Sequence, residues 1–247
     1  MKISKNIDTV FFDLDGTLLP MDAEEFMAAY FKELAAKAAP MGYDAKTVVD
    51  SVWIATRAMM ANDGTVSNKE RFWTAFGEIP GINTAELEIP FDGFYREEFD
   101  RVKTAARENP HLRPLIDHLK NRGYTLVVAT NPLFPLDGNL TRMNWVGLTA
   151  QDFHYISSYE NSSYCKPNPK YYQDILEKLG KTAGSAIMIG NDAAEDLAAE
   201  KCGMDTFLVK DHLINSRNMD ISSFKQGMFA DLHEFFGVPK AGEINDG

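Results

Sequence analysis

The sequence predicts an α/β protein: a three-layer sandwich with a mainly parallel sheet, carrying a second unit built of helices. Three observations lead there. Short apolar runs alternate with amphipathic helical patterns over 1–20 and 108–239. The stretch between them, 21–107, reads as helices alone. Hydrophobic residues make up 45% of the 247, enough for one large core or two small ones.

The first strand is TVFFDLD, Thr9–Asp15. The helical insert then opens at Asp22, with Glu25 three residues on in the spacing of a capping box. Phe26, Ala29, Tyr30, Leu34 and Ala38 recur at helical spacing. AKTVVDSVWIATRAMMA, SNKERFWTAFG and FDGFYREEFDRVKTAA continue as helices, broken by NDGTVSN and IPGIN. The helix HLRPLIDHLKNRG precedes a second strand, TLVVAT (Thr125–Thr130). A weaker strand, HYISSYE (His154–Glu160), comes before the helix NPKYYQDILEKLG. AIMIGN (Ala186–Asn191) and DTFLVK (Asp205–Lys210) are the remaining strands, separated by AAEDLAAEKCG. Strand and helix in alternation imply a parallel sheet covered on both faces, with ligands at the C-terminal strand ends. The expected organisation is a discontinuous core, 1–20 and 108–239, an insert over 21–107, and a frayed tail at 240–247.

Composition excludes several classes of partner. The chain carries 36 acidic and 25 basic residues, a net charge of −11, which repels a nucleic-acid backbone. A small anion can still bind where the site is locally positive. Cys165 and Cys202 match no metal spacing and suggest two packed, reduced thiols. No run reaches the roughly 20 apolar residues of a membrane span. The apolar stretch near the N-terminus is too short for a signal peptide, so the expected location is cytoplasmic, with no membrane partner. Nothing in the sequence sets the oligomeric state.

Chemistry concentrates at the ends of the strands. Alternation along a strand would point Asp13 and Asp15 to one side, with Leu14 opposite. Two such carboxylates repel unless a cation or a shared proton relieves them. Turn chemistry accounts for Asp15-Gly16 but leaves Asp13 without a role. The second strand ends on Thr130-Asn131, and AIMIG ends on Gly190-Asn191-Asp192, with Asp196 four residues later. Lys166 sits in the turn CKPNP just ahead of a helix. In a parallel sheet these ends could converge on one edge.

These four motifs, in this order, resemble the haloacid dehalogenase superfamily, whose members are mainly Mg²⁺-dependent phosphohydrolases. The matching segments are FFDLDGT, VVAT, CKPNP and IMIGNDAAED. The resemblance implies a Rossmann-like core with a helical cap inserted between the first and second motifs. It implies that Asp13 attacks phosphorus to form an aspartyl-phosphate and that Asp15 serves as acid and base. Thr130, Asn131 and Lys166 would hold the phosphoryl group. Asp13, the Asp15 carbonyl and Asp192 would bind Mg²⁺. Gly16 and Thr17 would shape the turn into the cap.

The fourth motif departs from relatives that carry two successive acids or Gly-Asp. Asn191 could hold the metal register instead of Asp192, and Asp196 could orient Lys166 or merely favour a helix start. The expected substrate is a small phosphorylated metabolite. A phosphomutase or phosphotransferase would use the same aspartate pair, and a non-catalytic binding module is the alternative of another class. Dehalogenating members lack the second aspartate, which is present here as Asp15.

The insert would choose the substrate. Arg57, Lys69 and Arg71 could meet an anion, and Trp53 and Trp73 could line a pocket. The plainer expectation is that these aromatics pack the insert and these cations are solvated. PLFPLDGN, Pro132–Asn139, is rich in breakers and reads as a loop beside the site.

Overall fold

The computed structural model describes residues 3–4 and 6–239, so the tail expected to fray lies outside the described residues. Six strands form one sheet: β1 (Thr9–Phe12), β2 (Thr125–Val128), β3 (Tyr155–Ile156), β4 (Ala186–Gly190), β5 (Asp205–Val209) and β6 (Gln226–Gly227). Their order is β3-β2-β1-β4-β5-β6, and every neighbouring pair is parallel. β1 is central, with Phe12 in register with Val128 on one side and Ile189 on the other. The chain steps outward from β1 to β3, then returns to β4 and steps the other way. That reversal opens a crevice at the C-terminal ends of β1, β2 and β4, where such sheets bind ligands.

Alternation along the strands divides the core. Val10, Phe12, Leu126, Val128, Ile187 and Ile189 belong to one apolar cluster, and Phe11, Val127 and Met188 to another. The second is covered by α7 (Pro169–Leu179), through Tyr171, Tyr172, Ile175 and Leu176. The first joins α5 (Leu112–Asn121) and α8 (Asp231–Phe236) to the apolar interior of the insert.

The insert contains α1 (Ala23–Ala38), α2 (Ala45–Met60), α3 (Asn68–Gly77) and α4 (Thr84–Glu97), then a 3₁₀ segment, Phe99–Ala105. Asp22, Asp44 and Ser67 each cap their helix by accepting a hydrogen bond from the backbone three residues on. Only half of the expected capping box forms at Asp22, because the Glu25 carboxylate turns to Arg107 instead (2.7 Å). α4 starts at Thr84 rather than Phe91 and runs through Pro90, with Leu87, Phe91 and Phe94 buried on one face.

Several expectations are corrected. β1 ends at Phe12, so Asp13 and Asp15 leave the sheet in a turn and strand alternation does not set their directions. The supposed loop after Thr130 becomes α6 (Leu136–Trp145) from Leu136 onward. Pro135 stands just before that helix, where its missing N–H costs nothing. Gly138 lies inside it because a Cβ there would come within 2.8 Å of the Tyr95 ring. The segment after β4 is 3₁₀, Asp196–Cys202. No helix among the described residues is long and apolar enough to cross a membrane.

Candidate active site

The turn after β1 is built by backbone hydrogen bonds: Leu19 N–H to the Leu14 carbonyl (2.8 Å) and Gly16 N–H to the Leu19 carbonyl (2.8 Å). Gly16 has φ +83°, and a Cβ there would sit 2.4 Å from the Asn191 amide. Asp13 leaves β1 with its N–H on the Ile189 carbonyl (2.8 Å), which carries the pairing of β1 with β4 one residue past the strand.

Lys166 is the hub. Its side chain is fully buried and donates to Asp13 Oδ1 (2.8 Å) and Asp196 Oδ1 (2.6 Å). The Asn131 carboxamide fixes the residue by accepting from the Lys166 backbone N–H (3.2 Å). Asp196 also accepts from the Asp192 N–H (2.9 Å), so it does more than start a helix. Gly190 makes that possible, because a Cβ there would lie 2.0 Å from Asp196 Oδ2.

The hydroxyl of Thr130 makes no hydrogen bond to another described residue, while its carbonyl accepts from Ser157 (2.7 Å) and Tyr171 (2.8 Å). Thr130 is thus held by its backbone, with its hydroxyl left as a spare donor at the end of β2.

Asn191 and Asp192 have different surroundings. Asn191 is buried and used at both ends: Oδ1 accepts from the Thr17 hydroxyl (2.9 Å) and Nδ2 donates to the His212 carbonyl (2.7 Å). It braces the turn after Asp15. Asp192 Oδ1 accepts from the N–H groups of Ala194 (2.7 Å) and Glu195 (2.9 Å), leaving Oδ2 without a hydrogen bond among the described residues.

Two groups at the site escaped the sequence reading. Arg142, on α6, has no solvent exposure; one guanidinium nitrogen donates to Asp15 Oδ2 and another to Asn139 Oδ1. Its guanidinium lies 4.2 Å from the Phe134 ring centroid, and Asn139 is itself tied to the Ser157 carbonyl (2.7 Å). Glu195 accepts from the Asn131 amide (3.0 Å).

Carboxylates outnumber cations here. Against the burial that would discharge it, Asp13 and Asp196 hold the Lys166 ammonium well above its usual range. Burial raises the Asp13 carboxyl despite Lys166, and pushes Asp196 up to about 6 and Glu195 up to about 7. Arg142 offsets only Asp15. The excess negative charge suits a bound divalent cation.

Three oxygens are left free for one. Asp13 Oδ2, Asp192 Oδ2 and the Asp15 carbonyl accept no hydrogen bond among the described residues. No cage of three or more His, Cys, Asp or Glu side chains that could hold a metal ion is found among the described residues. A hard cation that keeps several waters needs no such cage.

A cavity of about 150 Å³ lies between insert and core, with Phe134, the ring under Arg142, in its wall. Trp53 and Trp73 line it, as do Phe134 and Pro135. Arg57, Lys69 and Arg71 do not. Lys69 faces Asp92 (3.6 Å) and Arg71 faces Asp63 (3.6 Å).

Residues 7–203 match the model of a hydrolase family described as haloacid dehalogenase-like hydrolase. Among curated proteins, phosphoglycolate phosphatase of Agrobacterium fabrum is 28% identical over 193 residues, covering 78% of this chain and 76% of that protein. Glyceraldehyde 3-phosphate phosphatase of Methanothermobacter thermautotrophicus is 27% identical over 221 residues, covering 84% and 87%. The crystal structure of a predicted phosphoglycolate phosphatase from Haemophilus somnus 129pt shares the fold, with a TM-score of 0.59 at 17% identity, covering 93% of this chain and 98% of that one.

Proposed function

The chain belongs to the haloacid dehalogenase-like hydrolases, and from that membership we propose that it hydrolyses a small phosphomonoester through an aspartyl-phosphate on Asp13. Phosphatases of this family generally use a divalent metal, and Mg²⁺ is the proposed one here. The observation that carries the reading is the Lys166 ammonium, buried and shared between Asp13 and Asp196. A purely structural ion pair needs one carboxylate; this one holds a second, partly free carboxylate at the crevice.

In the first step Asp13 attacks phosphorus and the bond to the leaving oxygen breaks. Asp15 gives its proton to that oxygen. In the second step Asp15 takes a proton from water, the water oxygen bonds to phosphorus, and the bond to Asp13 breaks. Lys166 and the Thr130 hydroxyl meet the charge that spreads over the phosphoryl oxygens. Arg142 fixes the direction of the Asp15 carboxylate. Asp13, the Asp15 carbonyl and Asp192 would hold the metal, which when bound draws charge from the phosphoryl oxygens. Asn191 braces the turn rather than binding metal.

The domain reading belongs to the same proposal: 21–107 acts as a cap on a core of 1–20 and 108–239, excluding water and choosing the substrate. The test is phosphate release from a panel of monoesters with Mg²⁺, with chelator, and with Asp13→Asn. Mg²⁺-dependent release that the substitution abolishes supports the reading. An isomerised phosphosugar without free phosphate would instead mark a mutase. Binding without any turnover would mark a module that kept the fold alone.

A further inference from the structure

Resting on that phosphatase reading, we propose that the organic part of the substrate is a neutral, apolar group the size of one ring, seated in the cavity between insert and core. The size comes from the volume, about 150 Å³. An apolar cavity of about 150 Å³ in another protein stays dry and takes up benzene.

The chemistry comes from the walls. Tyr30, Phe31, Trp53, Trp73, Phe91 and Phe134 supply aromatic surface. Polar groups on the wall are mostly satisfied within the protein. The hydroxyls of Tyr30 and Tyr95 bond each other (2.8 Å). Asp92 accepts from Tyr159 (3.4 Å) and faces Lys69. The Trp73 indole N–H is buried beside the Tyr159 hydroxyl and turned away from solvent.

No lysine or arginine lines the cavity, whereas one carboxylate does. A substrate with its own carboxylate or a second phosphate would enter with no cation to meet it. Sugar hydroxyls would give up water and find few partners. Asp92 is already paired with Lys69, which argues for a neutral group over a cationic one.

One wall of the cavity is shared with the acid side of the site. Asp15 protonates the leaving oxygen, so the group that departs extends from the Asp15 side. From that carboxylate, Arg142 leads to Phe134, and Phe134 lines the cavity. Leu133 and Pro135, from the same short stretch after Thr130, line it too.

The test compares kcat/KM, with Mg²⁺, for benzyl phosphate, 2-phosphoglycolate, a hexose phosphate and phosphocholine. Benzyl phosphate has an alkoxide-type leaving group like the others, so a preference reports on binding rather than on leaving-group chemistry. The expected advantage of benzyl phosphate is roughly tenfold or more, the scale on which apolar pockets discriminate. Thr56→Phe would push a ring into the cavity from a half-buried wall position. It should lower the ratio of benzyl to methyl phosphate kcat/KM by about tenfold, whereas general damage would lower both alike. Calorimetry with benzylphosphonate gives a readout independent of turnover.

Preference for phosphoglycolate, hexose phosphate or phosphocholine, with Mg²⁺-dependent turnover intact, overturns the cavity assignment and leaves the phosphatase reading standing. The reverse result is no turnover of any ester but benzylphosphonate binding that Thr56→Phe weakens. It would overturn the phosphatase reading and keep the cavity.

Discussion

Replacing Arg142 by Met should damage stability and turnover chiefly through the loss of its pairing with Asp15, with the Asn139 bond lost as well. Arg142 is fully buried and Asp15 retains 29% side-chain exposure. Removing one partner of a buried pair costs about 3–5 kcal/mol, and water reaching Asp15 favours the lower end. For a chain of this length about 3 kcal/mol corresponds to a fall in Tm of roughly 6–12 °C. Turnover should fall by on the order of a hundredfold, the usual effect of a catalytic group shifted by about an ångström. Arg142→Lys should sit between, because it keeps the charge but cannot reach Asp15 and Asn139 together. The decisive assay is a double-mutant cycle in urea with Asp15→Asn, where the account expects a coupling of about 1–3 kcal/mol. Equal destabilisation by Arg142→Met with and without Asp15→Asn would refute the reasoning.

Other predictions follow from single contacts. Gly190→Ala should drive Asp196 off Lys166, since the new methyl would overlap its carboxylate, with a stability loss of about 1–3 kcal/mol in chemical denaturation and loss of turnover. Asp192→Asn should raise the Mg²⁺ needed for half-maximal rate by roughly tenfold or more, while Asn191→Ala, which loses the bonds to Thr17 and to the His212 carbonyl but no metal ligand, should leave that requirement nearly unchanged. Hydrogen bonding to Arg113 holds the Asp152 carboxyl well below its ordinary 3.8, with Lys120 adding to the effect. A depressed folded value stabilises above the unfolded one, so its contribution is complete at neutral pH and fades as pH falls below 3.8. Asp152→Asn should therefore lower stability at pH 7 by about 1–2 kcal/mol and narrow that gap in acid, as urea melts at pH 7 and pH 3 would show.

What could be read in advance depended on whether the signal was local. Asp13 and Asp15 stand in one short linear motif, and the parallel sheet brings Thr130, Lys166 and Asp196 to its edge because the segments after β2, β3 and β4 all leave the sheet there. Arg142 was not legible. An arginine on a short helix is ordinarily solvated, and its burial depends on Phe134 and Phe26 packing around it. A retrospective signal is the pair Asn139 and Arg142, three residues apart and so on one helix face. The start of α6 was hidden by Pro132, Pro135 and Gly138, which read as breakers until Tyr95 is seen to need the space at Gly138. β6 has two residues and no pattern of its own; pairing with β5 creates it. The aromatic residues of the insert were read as packing, and they do pack: Trp73 stands edge-on to Phe72 and Phe76. That the same rings enclose a cavity is a property of four helices and the stretch after Thr130 together.

The central claim, that Asp13 carries the phosphoryl group, is tested most directly by rapid acid quench. Enzyme with Mg²⁺ is mixed with an excess of the best phosphomonoester, stopped within the first turnover, digested and analysed by mass. The account predicts one phosphoryl group on the peptide containing Asp13, removed by hydroxylamine and absent from Asp13→Asn. Steady turnover with that peptide unmodified at every quench time, or with the phosphoryl group on another residue, would contradict it.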